Sequence, residues 1–327
     1  MDETFAGSLL ASTLRASTPL VLCALAGTFS ERAGVIDLGL EGKLLATAFA
    51  TAAVGVATGS LALALLAALA VGVALSMLHG YGCVSHPGDQ VVMGMAITMT
   101  AAGLTVVLGM AWFGQGGQTP PLPQALRLQP WFADLGALLE KLPLAGTTLA
   151  LGLTGHPLPV YAALLAVAGA WWLLFRTRFG LRLRAAGENP AMVEAAGVSV
   201  KGLRYRALAL NGVLVSMAGA YLVTGLSPAF VPQMSAGRGY MALAAMIFGK
   251  WHPAGALGAC LLFGFLDALS IRLQGMPLPA ALGGGAVPVQ AIQALPYLLT
   301  VVLLAGFIGR ARAPKALGQP YAKERRA

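Results

Sequence analysis

The chain has 327 residues, of which 57% are hydrophobic and only 10% charged, and its mean hydropathy is positive. Those values exclude an ordinary soluble domain and fit a protein that crosses a membrane several times. The net charge of +9 does not form a nucleic-acid patch, because the excess gathers in the 176–206 stretch and in a tail carrying Arg310, Arg312, Lys315, Lys323, Arg325 and Arg326, the pattern of basic residues kept on the cytoplasmic side.

The start, Met1-Asp2-Glu3, lacks the basic flank of a signal peptide, so the apolar run after it reads as a retained first span, Ser8 to Thr28. Further spans are expected at Leu44–Val56, Leu61–Leu78, Val91–Phe113, Pro157–Phe175, Ala207–Leu226, Gly239–Gly249 with its apolar upstream flank, Pro253–Ile271 and Val287–Gly309. The expected fold class is all-α: an integral membrane bundle of about 8–10 transmembrane helices, one domain over residues 1–327. With both basic segments on one side, the four spans after Arg206 leave Lys250 inside and Arg272 outside. Five spans before the basic stretch put the N-terminus outside, and an extra crossing in Pro143–Thr154 reverses it.

Between the first two spans, the run Ser30-Glu31-Arg32-Ala33-Gly34-Val35-Ile36-Asp37-Leu38-Gly39-Leu40-Glu41-Gly42-Lys43 crowds five charges and three glycines. Charge and irregular backbone are tolerated at membrane depth where they pair or line a watery cavity, so a broken helix near residues 31–43 beside a translocation path accounts for both. Asp37 and Glu41, four apart, would share a helix face and need a cation such as Arg32 or Lys43. A solvated interhelical loop is the plainer alternative. Gly42-Lys43 is not a phosphate-binding loop, since Asp37 and Leu44 stand where that loop needs Gly and Ser or Thr.

The turn-rich run Gly114 to Pro123 is too polar to cross and reads as an external loop or lid, or as a passive connector. The basic stretch from Phe175 to Arg206 holds Arg176, Arg178, Arg182, Arg184, Lys201, Arg204 and Arg206, all expected in water, with a short helix from about Asn189 to Ala196 opened by Pro190 and stopped by Gly197. In the later spans Gly212, Ser216 and Ala220 form a small-residue stripe for close helix packing. Asn211, Gln290 and Gln293 are placed to bond either a polar substrate or a neighbouring helix, and Asp267 is a lone intramembrane carboxylate that Arg272 can neutralise. His79, His86, His156 and His252 lie on separate segments without metal-ligand spacing, and Cys23, Cys83 and Cys260 have no pairing framework. No nucleophile with an evident base stands out, so neither a catalytic residue nor a metal site is assigned, and the chain does not read as an enzyme.

Four motifs in order, Thr18-Pro19-Leu20, Ser30 to Gly42, Arg184-Ala185-Ala186-Gly187-Glu188-Asn189-Pro190 and Ile247-Phe248-Gly249-Lys250-Trp251-His252-Pro253, resemble permease subunits of bacterial ABC importers, specifically the nucleoside and simple-sugar branch related to ribose-type permeases. The resemblance covers nearly the whole chain. It implies a multi-pass subunit of the inner (plasma) membrane that pairs with a second homologous permease, docks on a cytoplasmic ATPase which binds ATP and Mg, and receives substrate from an external binding protein or lipoprotein. It also implies that the segment from Glu188 through Val200 is a coupling helix, with Glu188, Asn189, Pro190, Glu194, Ala195, Ala196 and Gly197 toward the ATPase. Gly197 directly follows Glu194-Ala195-Ala196, a departure from the importer pattern, and Asp37 stands where the branch commonly has Asn. The expected substrate pathway includes Asp37, Glu41, Asn211, Gln290 and Gln293. Nucleoside import is the expected function, with a simple sugar such as ribose as the alternative. An ion-coupled secondary transporter using Asp37, Glu41 or Asp267 is the rival of a different class.

Overall fold

The computed structural model describes residues 3–132, 134, 136, 146–273, 294, 298 and 311–321. Among them the helices are α1 (Glu3–Arg32), α2 (Leu40–Thr58), α3 (Leu61–Gly80), α4 (Gln90–Phe113), α5 (Gly146–Leu153), α6 (Leu158–Arg176), α7 (Arg178–Glu188), α8 (Pro190–Ala195), α9 (Val200–Tyr221), α10 (Arg238–Phe248) and α11 (Pro253–Leu273). Single π-helical turns, Tyr81–Ser85 and Leu222–Leu226, extend α3 and α9. A two-residue ribbon pairs β1 (Pro130–Trp131) antiparallel with β2 (His156–Pro157).

Seven described helices are long and apolar enough to cross a membrane: α1, α2, α3, α4, α6, α9 and α11. They correspond to seven of the nine expected spans. The segment expected at Gly239–Gly249 is α10, an apolar helix whose 11 residues rise only about 16 Å and which follows the non-helical residues 227–237. The expected span Val287–Gly309, with Gln290 and Gln293, lies outside the described residues. The eight described residues of α5 pack on the first turns of α1, with Gly7 against Thr148 and Gly152 against Leu10.

Burial sorts the helices into two rings. The apolar windows of α1, α2 and α9 are 72%, 67% and 72% buried, whereas those of α3 and α4 are 22% buried. α1 therefore runs through the interior with α5, α6, α9, α10 and α11 about it, and α2 packs on α3, α4 and α9. Small residues make these approaches possible: Gly212 of α9 meets the backbone of Gly72 and Val73 on α3, and Ser216 lies beside Gly72, so the expected stripe is a helix contact. Outward, α3 and α4 present Leu63, Leu66, Val92, Met99 and Val107 to the surroundings.

The bundle has two distinct ends. At one, Gly114 ends α4 and the following residues fold over the helix tips: Thr119 N donates to Phe230 O at 3.1 Å, Phe230 N to Thr119 Oγ1 at 3.0 Å and Leu122 N to Pro228 O at 2.7 Å. The Gly114–Pro123 run is thus a packed lid. At the other, basic end lie Arg32, α7, α8 and residues 311–321. Lys250 is held there by Arg32, while Arg272 lies at the lid end, its guanidinium stacked over Phe5 at 5.2 Å. Arg272 makes no ion pair with Asp267 among the described residues.

The basic stretch departs from the expectation of a solvated loop. α6 runs to Arg176, Thr177 caps α7 through Gly180 N, and α9 begins at Val200, seven residues before the expected span. Arg204 consequently falls inside the bundle at 1% exposure. Carbonyls replace water around it: Nε donates to Ala33 O at 3.2 Å, and Nη1 and Nη2 to Gln319 O at 3.4 Å.

Candidate functional site

Three of the four sequence motifs meet at the basic end, where α1 stops and α2 has not yet begun. Residues 33–39 are non-helical, narrower than the 31–43 break expected, and Gly34 turns the chain at φ +88°, a conformation costly for any residue with a Cβ. The α1 terminus is tied to the α10–α11 turn by two side chains. Glu31 Oε2 accepts from Trp251 Nε1 at 2.6 Å, and Arg32 Nε donates to Trp251 O at 3.0 Å. Lys250 and Trp251 both have positive φ, 55° and 53°, so Glu31 and Arg32 hold a strained turn in place.

The motif at Arg184–Pro190 closes the same junction from the other side. A Cβ on Gly187 would strike the Arg32 carbonyl, so only glycine lets α7 come this near. Residues 311–321 are strapped across both: Ala316 N donates to Gly187 O at 2.8 Å and Gly318 N to Gly34 O at 3.3 Å. The broken segment, α7 and the tail form one hydrogen-bonded unit with Arg204 beneath it.

Inside the break the charges pair. Asp37 is fully buried, with Lys43 Nζ at 2.6 Å from Oδ2, His79 Nδ1 at 3.2 Å from Oδ1, and Gly39 N donating to Oδ1 at 3.1 Å. Lys43 Nζ also donates to Asn211 Oδ1 at 3.3 Å, which takes a second bond from Ser76 Oγ at 3.0 Å. Gln90 Oε1 at the start of α4 receives Ile36 N at 2.7 Å. Side chains from α2, α3, α4 and α9 thus converge on seven residues of irregular backbone. His79 Nε2, Asn211 Nδ2 and Gln90 Nε2 have no hydrogen-bond partner among the described residues.

Asp37 and Glu41 do not share a helix face, as their spacing suggested, because α2 starts at Leu40 and leaves Asp37 in the break. Lys43 neutralises Asp37; Arg32 is engaged with the α10–α11 turn instead. Glu41 faces away, toward α10, where its Oε1 accepts from Gly237 N at 2.8 Å and its Oε2 from Gly239 N at 2.6 Å. A carboxylate there caps the N-terminus of the short helix, satisfying orphan donors and opposing the helix dipole. One residue of α2 therefore fixes the second irregular segment, 227–237, to the first.

Of the expected pathway residues, Asp37 and Asn211 are joined through Lys43 Nζ, whereas Glu41 bonds the start of α10. His79, Ser76, Gln90 and Arg204 were missed. His79 and Ser76 are spaced three apart on one helix, a pattern visible in the sequence, but nothing local connects them to residue 37. None of these groups lines the apolar cavity of about 560 Å³ between α2, α3 and α4, which is bordered by Phe49, Ile97, Thr100, Leu104 and Trp112. Of the other histidines, His86 and His252 lie tilted against Tyr81 and Phe175, and His156 Nδ1 accepts from Arg15 Nε.

The expected short helix exists as α8. Asn189 Oδ1 caps it through Met192 N at 3.2 Å, Pro190 occupies its first turn and Gly197 follows with φ +79°. Ala191, Met192, Ala195, Ala196, Gly197, Glu188 and Asn189 are exposed; Val193 is buried and anchors the helix. Glu194 Oε2 accepts from Val200 N at 3.0 Å, tying α8 to the first turn of α9.

Comparison with known proteins places this architecture. The family model described as "Branched-chain amino acid transport system / permease component" matches residues 9–308. The guanosine ABC transporter permease protein NupQ of Bacillus subtilis is 38% identical over 327 residues, covering 97% of each chain. The nucleoside ABC transporter permease protein NupC of Lactococcus lactis is 35% identical over 323 residues, again 97% of each. The ribose import permease protein RbsC of Escherichia coli K12 is 30% identical over 243 residues, 71% of this chain and 68% of that one.

Proposed function

The chain belongs to the branched-chain amino acid transport system / permease component family, a family of ABC transporter permeases, and we propose that it carries nucleosides into the cell across the plasma membrane. The observation that carries this reading is near full-length similarity to two nucleoside permeases, from Bacillus subtilis and Lactococcus lactis, the first of which at 38% exceeds the 35% of a putative glucose permease of Haloferax volcanii. A simple-sugar substrate is the second reading, favoured by that glucose relative and by the ribose permease. An ion-coupled carrier does not fit a chain of this family.

In this reading the chain performs no chemistry on its cargo. A separate ATPase binds ATP and Mg and hydrolyses the nucleotide, an external binding protein or lipoprotein delivers the substrate, and a second homologous permease completes the path. The basic end faces the cytoplasm, consistent with the cations of 176–206 and of the tail. The segment around α8, with Glu188, Asn189, Pro190, Glu194, Ala195, Ala196 and Gly197, seats on the ATPase. Motion there passes through Gly187 and the tail strap to the break at 33–39, because these parts are hydrogen-bonded to one another and a rigid element transmits displacement. Asp37, Glu41 and Asn211 hold the two irregular segments beside the path rather than touching substrate, since Asp37 and Asn211 are fully buried and Glu41 is occupied by α10. Gln290 and Gln293 are assigned to the same path.

The test is uptake of radiolabelled guanosine by cells carrying the complete transporter, with unlabelled nucleosides or ribose as competitors. Competition by nucleosides alone supports the proposal. Competition by ribose alone moves the chain to the sugar reading, and uptake that persists without the ATPase overturns the importer reading.

A further inference from the structure

We propose that the groove between α7 and the first turns of α9 binds the phosphate headgroup of an anionic glycerophospholipid. The groove encloses about 510 Å³, is lined by Phe179, Arg182, Ser199, Leu203 and Arg206, and borders Ala196 and Gly197 of the ATPase-facing segment. Arg182 and Arg206 are exposed, and neither has an ion pair or hydrogen bond among the described residues. The neighbouring guanidinium groups are occupied: Arg176 lies over Trp171 at 5.3 Å, Arg184 over Phe175 at 4.7 Å, and Arg204 is taken by carbonyls. Two forked cations facing one cavity match the oxygens of a phosphate.

Its place in the fold identifies the source of that phosphate. α6 ends at Arg176 with the exposed Trp171 and Trp172 in its last turns, the aromatic belt that marks headgroup depth. Thr177 passes the chain directly into α7, which carries Phe179 and Arg182. Arg206 stands on the second turn of α9, immediately before the uncharged stretch from Ala207 to Gly237, where a cation without an anionic partner is costly. Phe179, Val198 and Leu203 add hydrocarbon beside the two charges. Two cations beside apolar side chains suit an amphiphile better than a free anion, and basic pockets at the cytoplasmic ends of membrane helices take anionic headgroups.

The proposal does not depend on what the protein transports, and its readout is lipid mass. The full chain, extracted in detergent and equilibrated with an equimolar mixture of phosphatidylglycerol and phosphatidylcholine, is examined by native mass spectrometry. Phosphatidylglycerol should dominate the retained lipid. Arg182→Gln and Arg206→Gln should each lower its retention about fivefold and the pair about 25-fold, while Arg206→Lys restores most of it. Arg178→Gln, on the same stretch but outside the groove, should have no effect. Melting curves run in parallel establish that each variant is folded. Retention at the parent level in both Gln variants, or an equal loss in Arg178→Gln, overturns the proposal. Displacement of the lipid by millimolar inorganic phosphate assigns the groove to a free anion instead. Variants that keep their lipid but no longer co-purify with the ATPase assign it to that partner.

Discussion

Two regions of this chain carry similar densities of charge and have opposite fates. Around the break between α1 and α2, Glu31, Arg32, Asp37, Glu41 and Lys43 each meet a specific partner, and Asp37 and Lys43 are closed off from solvent. Across α7, Arg178, Arg182 and Glu188 stand exposed on a short capped helix. The difference lies in what surrounds them. The break is enclosed by α2, α3, α4 and α9, so each charge there must be matched or the fold loses the free energy of burying it. The surface segment has water, lipid or a partner for its charges and is free to serve as a contact. One region holds the molecule together; the other meets what lies outside it.

The sharpest way to break this contrast is to remove one member of the buried pair. Lys43→Met leaves Asp37 charged and enclosed, at a cost of about 3–5 kcal/mol. The expected outcome is severe loss of folded protein in the membrane, measured by size-exclusion chromatography and thermal melting in detergent. Asp37→Asn combined with Lys43→Met removes both charges and should recover most of the loss. A double variant no better than Lys43→Met would mean that the pair is not what makes the single change costly.

Glu41→Gln tests the link between the two irregular segments. The amide offers one acceptor oxygen where the carboxylate offers two, so either Gly237 N or Gly239 N loses its partner, costing about 1–3 kcal/mol. Melting temperature should fall and uptake with it, by less than in Lys43→Met. An unchanged melting temperature would show that α10 is fixed by its packing and not by this cap.

Gly187→Ala is the smallest of the interior changes. The added methyl meets the Arg32 carbonyl and must push α7 outward, at about 1–3 kcal/mol. Transport should drop further than stability, because the displaced contact joins α8 to the break. Parallel declines in uptake and abundance would reduce Gly187 to a packing position.

How far the sequence revealed this arrangement depends on the range of the interaction. Hydropathy alone located α3, α4 and α6 to within a few residues, since a crossing helix needs an apolar run and nothing distant. The cap and stop of α8 were equally local: Asn189, Pro190 and Gly197 act within one turn. The break was visible as glycines among charges, but its wiring was not. Asp37 and Glu41 suggested a shared face only while both were placed on one helix, and His79 reaches Asp37 from 42 residues away in a different helix. Arg204 was expected in water because its solvating carbonyl, Gln319 O, lies 115 residues downstream. Periodicity reports which face is apolar; it does not report which distant carbonyl will replace water.

The central claim is that the exposed face of α8 passes the ATPase's motion to an interior that is already locked, and Ala195→Trp in the reconstituted complex tests it most directly. Ala195 is exposed, so the indole should leave insertion and melting temperature unchanged while obstructing close approach by the ATPase. The account predicts that substrate and binding protein no longer stimulate ATP hydrolysis and that guanosine uptake is lost, although the complex still assembles. Stimulated hydrolysis and uptake at the parent level in an assembled Ala195→Trp complex would contradict it.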